Sequence, residues 1–380
     1  SKRGDLRVVG LGVLVSETGH VPLLYRTYAG NGSDQGVLES CLDGLGKLHD
    51  ALDEGEGRSR PAQRTLVRDG GSWSPQLELH LDMVGYYTLI SLPLSHKASE
   101  MALEAAAKRG AMKSLKGALS DVRAARVMGK VGKLDRTLLV VESKELLAGQ
   151  KRGIAVALAK AKDKLRTLER RVMAGRVSRP QVERRVREIL AREHLSSFVV
   201  SEIGGTEQAP TLSWRVDAAL RRQLETTRLG RRVLCTDRNT WSTERIVHAF
   251  RGQWNVEELF RRAKKGGVVP WGPSHQWADA SLRLHTFATV LGLMLVSLAK
   301  IALGAEMSAR AMMRSLAAID ATLVRTTTGG MGRRPTVMLA PDLTAEQAKA
   351  VGLFELGRWL PSLLSTSSRS RARAERQAAA

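Results

Sequence analysis

Thiols are nearly absent. Cys41 and Cys235 are the only two cysteines and stand far apart, which excludes a disulfide framework and a CxxC zinc site and fits a reducing cytosol. Acidic residues are also short: 38 Asp and Glu face 60 Lys and Arg, a formal charge of +22. A polyanion is the natural partner of such a chain, because phosphates neutralised by Lys and Arg release counterions and so favour binding without sequence readout. A basic chain that is merely soluble, or that rests on an acidic membrane surface, is the alternative. Long apolar runs are missing as well. Phe287 to Ala299 is interrupted by Thr289 and Ser297 and closed by Lys300, too short for a bilayer span, and predicts a buried core helix. No charged-then-apolar leader opens the chain, so nothing argues for secretion. The sequence starts at Ser1 rather than Met, and further residues are expected upstream.

What is present suffices for two or three domains over 380 residues. Residues 7–15 and 21–28 are rich in apolar and β-branched types around the turn Ser16–His20, a hairpin pattern. Asn31-Gly32-Ser33-Asp34 supplies a cap for a helix with Val37, Leu38, Cys41, Leu42, Leu45 and Leu48 at helical spacing. A strand at Arg64–Arg68 ends in Asp69-Gly70-Gly71, followed by a helix from Pro75 to Val84 and a strand from Tyr86 to Leu92.

From Leu94 to Leu195 the character is long, basic and helical. Ile154, Leu158, Ala161, Leu165, Leu168 and Val172 form a coiled-coil-like seam that needs a cover, and Ser178 with Gln181 opens a second helix by a capping box, giving an antiparallel helical hairpin. Strands are predicted again at Ser197–Ile203, Thr211–Val216 and Arg231–Thr236, then one helix from Trp241 to Lys265 and an apolar helix over residues 281–302. Residues 365–380 alternate Ser, Arg and Ala without an apolar period and predict a disordered basic tail.

On the helix through Trp241–Lys265, Phe250, Gln253, Glu257, Arg261 and Lys264 recur every three or four positions and therefore share a face. Read by composition alone, this is a solvated face. The run FRGQWNVEELFRRAKK, however, resembles the Y-x2-R-x3-E-x6-K signature of bacterial insertion-sequence DDE transposases. Glu257 and Lys264 match it, while Phe250 takes the Tyr place and Gln253 the Arg place. SKRGDLRVVGLGVLVSETGHVPLLYRTYAGNGSD is similar to the family's second and third strands and the turn after them. TLVRDGG is similar to the strand ending in its second catalytic aspartate, here Asp69. GRRVLCTDRNTWSTERIVHAF and WGPSHQWADASLRLHTFATVLGLML resemble the segments before and after the signature helix. The likeness runs from residue 1 to about residue 302.

The resemblance implies an α/β fold: an RNase H-like mixed sheet flanked by helices, interrupted by a large helical and β-strand insert. Its layout would be 1–93 as the first part of the catalytic domain, 94–236 as the insert (helical hairpin 142–195, strands 197–236), 237–304 as the catalytic and closing helices, 305–364 as a C-terminal helical region and 365–380 as the tail. It implies Asp69 and Glu257 as catalytic metal ligands for Mg2+ or Mn2+, two ions being the expected number. Phe250, Gln253, Arg261, Lys264 and Trp241 are implied as DNA contacts. The partners would be terminal inverted repeats and target DNA, bound by a homodimer in a bacterial, nucleoid-associated cytoplasmic setting without membrane. Cutting a phosphodiester in line needs an activated nucleophile and a stabilised leaving oxygen, which two metal ions held by carboxylates supply.

In the family the first catalytic aspartate comes from a central strand before the SKRGDL motif, so it is expected upstream of Ser1, and the chain alone is expected to be inactive. Asp5 reads as structural. A structure-specific nuclease of the same fold and a non-catalytic DNA-binding remnant remain the alternatives. Asp237 is expected to cap the following helix, His275 and His285 to be structural or DNA-contacting, and Trp214, Trp241 and Trp271 to be buried anchors or base-stacking partners.

Overall fold

Apolar residues on either side of Ser16–His20 form the predicted antiparallel hairpin, β1 (Val9–Val15) and β2 (Pro22–Ala29), paired from Val9↔Ala29 to Val15↔Pro22. In its turn Gly19 and His20 have positive φ, 75° and 57°. A Cβ on Gly19 would also collide with the Ile301 side chain, so backbone and space both select glycine. The computed structural model describes residues 9–30, 32, 34–58, 63–108, 110–264, 267–272, 278–304, 307–319, 322–325, 336–339 and 343–356. Asp5, His275 and the tail 365–380 lie outside them.

The single helix expected around Val37–Leu48 is two, α1 (Asp34–Glu39) and α2 (Leu42–Gly55). The break falls at Ser40, whose hydroxyl donates to the Val37 carbonyl at 2.7 Å and so offers the backbone an alternative to continued helix.

The chain folds as two compact units, one of Ser1–Gly32, Gly36–Glu56 and Trp254–Ala380, the other of Ser33–Gln35 and Gly57–Gln253. The second unit holds β3 (Thr65–Arg68), α3 (Pro75–Met83), β4 (Tyr87–Leu92), α4 (Lys97–Ala107), β5 (Lys113–Ser114), β6 (Val122–Val131) and β7 (Leu134–Ser143). There follow α5 (Lys144–Met173), α6 (Arg179–Leu190), β8 (Val199–Gly205), β9 (Pro210–Val216), α7 (Ala218–Thr227), β10 (Arg231–Thr236) and α8 (Thr243–Arg251).

Six of these strands make a mixed sheet in the order β3-β4-β10-β7-β6-β5, with β3 parallel to β4 and every other pair antiparallel. Alternation along the strands builds a core on each face. Ile90, Leu138, Val140, Val233 and Cys235 pack with Ala98, Ala102, Leu103 and Ala106 of α4. Their neighbours Leu89, Leu139 and Leu234 pack with Ile246, Val247 and Phe250 of α8. The architecture is therefore mixed α/β, a six-stranded sheet flanked by helices. Among the described residues β1 and β2 pair only with each other.

The helical character expected across residues 94–195 is corrected by β5, β6 and β7. Ala124, Ala125 and the basic residues between them and Val131 read as helical by propensity, yet both alanines are buried in the sheet cores. Tertiary packing decides such a segment.

The hairpin that follows is as predicted. Ile154, Leu158, Ala161, Leu165, Leu168 and Val172 of α5 are buried against Val182, Val186 and Leu190 of α6, with Phe198, Val199 and Leu212 completing the cluster. The capping box of Ser178 and Gln181 is present, and β8 and β9 form their own antiparallel pair.

The first unit is completed by α9 (Trp254–Ala263), α10 (Asp279–Leu303), α11 (Ala309–Ala317), β11 (Thr322–Arg325), β12 (Thr336–Leu339) and α12 (Ala345–Leu353). The antiparallel β11–β12 pair interrupts the helical region expected over residues 305–364. α10 is 25 residues long and, by length and composition, is one helix among the described residues apolar enough to cross a membrane. It is not the wholly buried helix that its sequence predicts. Thr286, Thr289, Val290, Leu293, Val296 and Ser297 are buried, whereas Leu284, Phe287, Leu291, Leu295 and Leu298 stand exposed along the opposite side.

Candidate functional site

Asp69 follows β3, the edge strand of the sheet. Its carboxylate Oδ1 accepts the Gly70 N–H at 2.8 Å, and its carbonyl accepts the Ser72 hydroxyl at 2.9 Å, so the residue opens a tight 3-10 turn. A Cβ on Gly70 would sit 2.5 Å from the Ser91 carbonyl oxygen, which is why glycine follows the aspartate. Beside the turn, Arg68 bonds the Ser72 carbonyl and forms an ion pair with Glu78, whose other oxygen accepts the Thr88 hydroxyl at 3.1 Å. Arg68 and Glu78 are buried while Asp69 is exposed. Among the described residues Asp69 Oδ2 has no hydrogen-bond partner. One oxygen thus fixes the carboxylate and the other is open to a ligand.

Glu257 lies in the first turn of α9, exposed, with neither hydrogen bond nor ion pair among the described residues. Its neighbour Glu258 takes the local cations instead, pairing with Arg261 at 2.6 Å and with Arg262 at 3.4 Å. Arg261, expected to face phosphate, is therefore engaged by a carboxylate, although at 61% side-chain exposure that pairing is weak. Lys264 is exposed just past the helix end.

The one helix expected from Trp241 to Lys265 is two, α8 and α9, separated at Gly252 and Gln253. Gly252 N–H bonds the His248 and Ala249 carbonyls and Gln253 N–H bonds that of Phe250, which closes α8. Phe250, Gln253, Glu257, Arg261 and Lys264 consequently do not form one continuous helical face. Phe250 and Gln253 belong to one compact unit and the other three to its companion.

Two expected DNA contacts take other roles. Phe250 is only 9% exposed, set in the sheet core, because the period that places it on a polar face also aligns it with Ile246 and Val247. Trp241 carries the guanidinium of Arg245 at 4.3 Å and that of Arg238 at 5.1 Å from its ring centroid. Its carbonyl accepts Arg126 at 2.6 Å. That ring is engaged by two cations and is not an open stacking face.

Gln253 Nε2 is buried with no hydrogen-bond partner among the described residues. Trp254, which helical periodicity assigns to the core, is instead 50% exposed on the same helix as Glu257, its ring edge-on to His20 at 5.8 Å. Only the break before Trp254 explains that exposure, and a reading of one long helix conceals it.

Asp237 is no helix cap, since Ser242 caps α8. It accepts the Thr88 N–H at 2.9 Å and lies 3.9 Å from Arg136, which also pairs with Asp82. Burial pushes its carboxyl above the ordinary value, against the pull of the Thr88 N–H and Arg136. By register Asp237 reaches Thr88 near the start of β4, whereas Asp69 follows Arg68, which is opposite Ile90. The two acids are about 10 Å apart along the strand, at ~3.3 Å per residue, and do not converge on one ion. Among the described residues no group of three or more His, Cys, Asp or Glu is arranged to hold a metal.

Trp271 donates to the Thr286 hydroxyl at 3.1 Å and its carbonyl meets His285 Nε2 at 2.7 Å, and Trp214 packs on the α5–α6 core. These are structural anchors. No protein-family profile matches the chain, and neither does any curated protein.

Proposed function

We propose that the chain is a DDE-type insertion-sequence transposase, which cleaves DNA strands and joins them to a target through carboxylate-held divalent metal. The observation that carries this reading is Asp69: an exposed carboxylate at the carboxyl end of a parallel-paired strand, one oxygen pinned by its own turn, the other open, and the turn held by a buried Arg68–Glu78 pair. The order of motifs around it supports an RNase H-like arrangement of the sheet.

Hard, anionic oxygen donors of this kind fit Mg2+ or Mn2+. Asp69 in the second unit would hold such an ion, and in the first unit Glu257, whose carboxylate has no partner among the described residues, is the candidate ligand. When bound, two ions activate an attacking oxygen and stabilise the leaving one. The chain's own contributions are distinct from that chemistry. Arg68 and Glu78 fix the turn so that Asp69 Oδ2 presents without reorganisation. Lys264 offers an ammonium to phosphate, while terminal inverted repeats, target DNA and a second copy of the protein complete the complex.

The test uses the protein, duplex DNA carrying the element's ends, and Mg2+. Cleaved and joined products are expected, and Glu257→Gln should abolish both while leaving end binding within about twofold. Cleavage that persists in Glu257→Gln refutes the assignment; cleavage without joined product reassigns the protein to a nuclease built on the same carboxylates.

A further inference from the structure

A dense concentration of basic residues lies on the α5–α6 hairpin, which carries neither Asp69 nor Glu257. Residues 144–190 contain 14 Lys and Arg against five Asp and Glu. Five of those cations, Lys151, Arg166, Arg179, Arg184 and Arg185, are taken up in ion pairs. The other nine have none among the described residues, and all of these except half-buried Lys162 are exposed.

Their placement is ordered. With the buried seam of α5 facing α6, Arg152 and Arg170 fall on the crest of the helix, Lys160, Lys164 and Arg171 along one flank, and Lys144 and Lys162 along the other. Lys164 and Arg171 also border an open groove of about 520 Å³ between the two helices, with Arg184 and Arg185 on its far wall and Asp163 and Glu188 within it. The buried seam from Ile154 to Val172 fixes α5, 30 residues and about 45 Å long at 1.5 Å per residue, against α6 and the β8–β9 pair. The cations are thus carried on a rigid rod rather than a flexible tail, which lowers the ordering cost of binding.

We infer that the α5–α6 hairpin is a separate arm that grips the phosphate backbone of duplex DNA without reading its sequence. Three observations select this partner. The hairpin contains no aromatic residue, and single strands are held largely by stacking on aromatics. Its exposed large apolar residues are only Val156 and Met173, too few to insert into a lipid surface. Cations on the crest and both flanks of one helix suit the B-form major groove, about 12 Å wide and walled by phosphates on two sides, whereas the A-form groove is too narrow for it. The choice of DNA over other duplexes rests on groove width together with the function proposed above; the capture of a polyanion rests on charge and placement alone.

The experiment needs no metal and no cleavage, so it fails or succeeds independently of the carboxylates. Binding of the full chain to a duplex of arbitrary sequence, about 30 base pairs long, is followed by fluorescence anisotropy in EDTA across a salt series. The arm variant Arg152→Gln/Lys160→Gln/Lys164→Gln/Arg171→Gln is compared with Lys108→Gln/Lys116→Gln/Lys130→Gln/Lys133→Gln, which removes equal charge from exposed positions elsewhere.

Each lost phosphate contact lowers the slope of log affinity against log salt by about 0.9, so the arm variant should lose between about 1.8 and about 3.6, with at least a tenfold loss of affinity at low salt. A smaller fall, or an equal one in the second variant, overturns the proposal. If the arm variant melts early, Lys160→Gln/Lys164→Gln alone should lose about 0.9 or more, and no change overturns it. Single-stranded DNA, duplex RNA or phosphatidylserine vesicles that bind as tightly through the same residues overturn the assignment to duplex DNA.

Discussion

Arg68 and Glu78 form an ion pair sealed from solvent, with side chains 7% and 6% exposed, and the same guanidinium holds the carbonyl of Ser72 in the turn that Asp69 opens. A charge pair so placed is a poor source of net stability but a costly one to break, because the survivor stays buried without compensation. Its value here is positional: it fixes the backbone on which a solvent-facing carboxylate stands.

Arg68→Met should therefore destabilise the protein by about 3–5 kcal/mol, leaving Glu78 buried beside Thr88 with its main partner gone. Replacing both, Arg68→Met with Glu78→Leu, should recover most of that loss. Urea denaturation of the two variants decides the matter, and a double variant as unstable as the single one contradicts it.

Acid should loosen the hairpin turn. His20 is held below its ordinary value of 6.5, first by burial and then by the nearby charges of Arg262 and Lys300, with Glu258 opposing. The unfolded chain then binds a proton more readily than the folded one. Stability that is fully present above pH 6.5 is lost as pH falls through the lowered folded value. His20→Gln should flatten this part of the profile. Melting temperatures from about pH 7.5 down to about pH 5 measure it, and parallel profiles for the two proteins contradict it.

The thiols should differ sharply in reactivity. Burial pushes the Cys235 thiol up to about 12, and its position inside the sheet core denies access as well. Cys41 is half-buried at the start of α2. A native titration with a thiol reagent should count one fast cysteine and yield the second only on unfolding; two fast thiols would place Cys235 outside the core.

Much of this fold was legible because its periods are local. The α5 seam, the Ser178–Gln181 box, the β1–β2 hairpin and β10 stand where their sequences put them. Failures came where long-range packing decides. Alanines in β6 carry no strand signal of their own and become strand through β7 beside them. Phe250 sits on a helical period that serves core and surface equally, and only the break at Gly252–Gln253 separates the two. At the candidate site the turn of Asp69 and the exposure of Glu257 were readable from their neighbours. The bond from Arg126 to the Trp241 carbonyl was not, since Arg126 comes to it from 115 positions away.

The outward leucines of α10 govern how the protein behaves as a material. At low ionic strength a charge of +22 keeps copies apart, but the reach of that repulsion shrinks from about 30 Å at 0.01 M salt to about 3 Å at 1 M. Brine thus lets the apolar ridges of separate copies meet. Solubility that falls as salt rises is the signature the ridge would leave on the column.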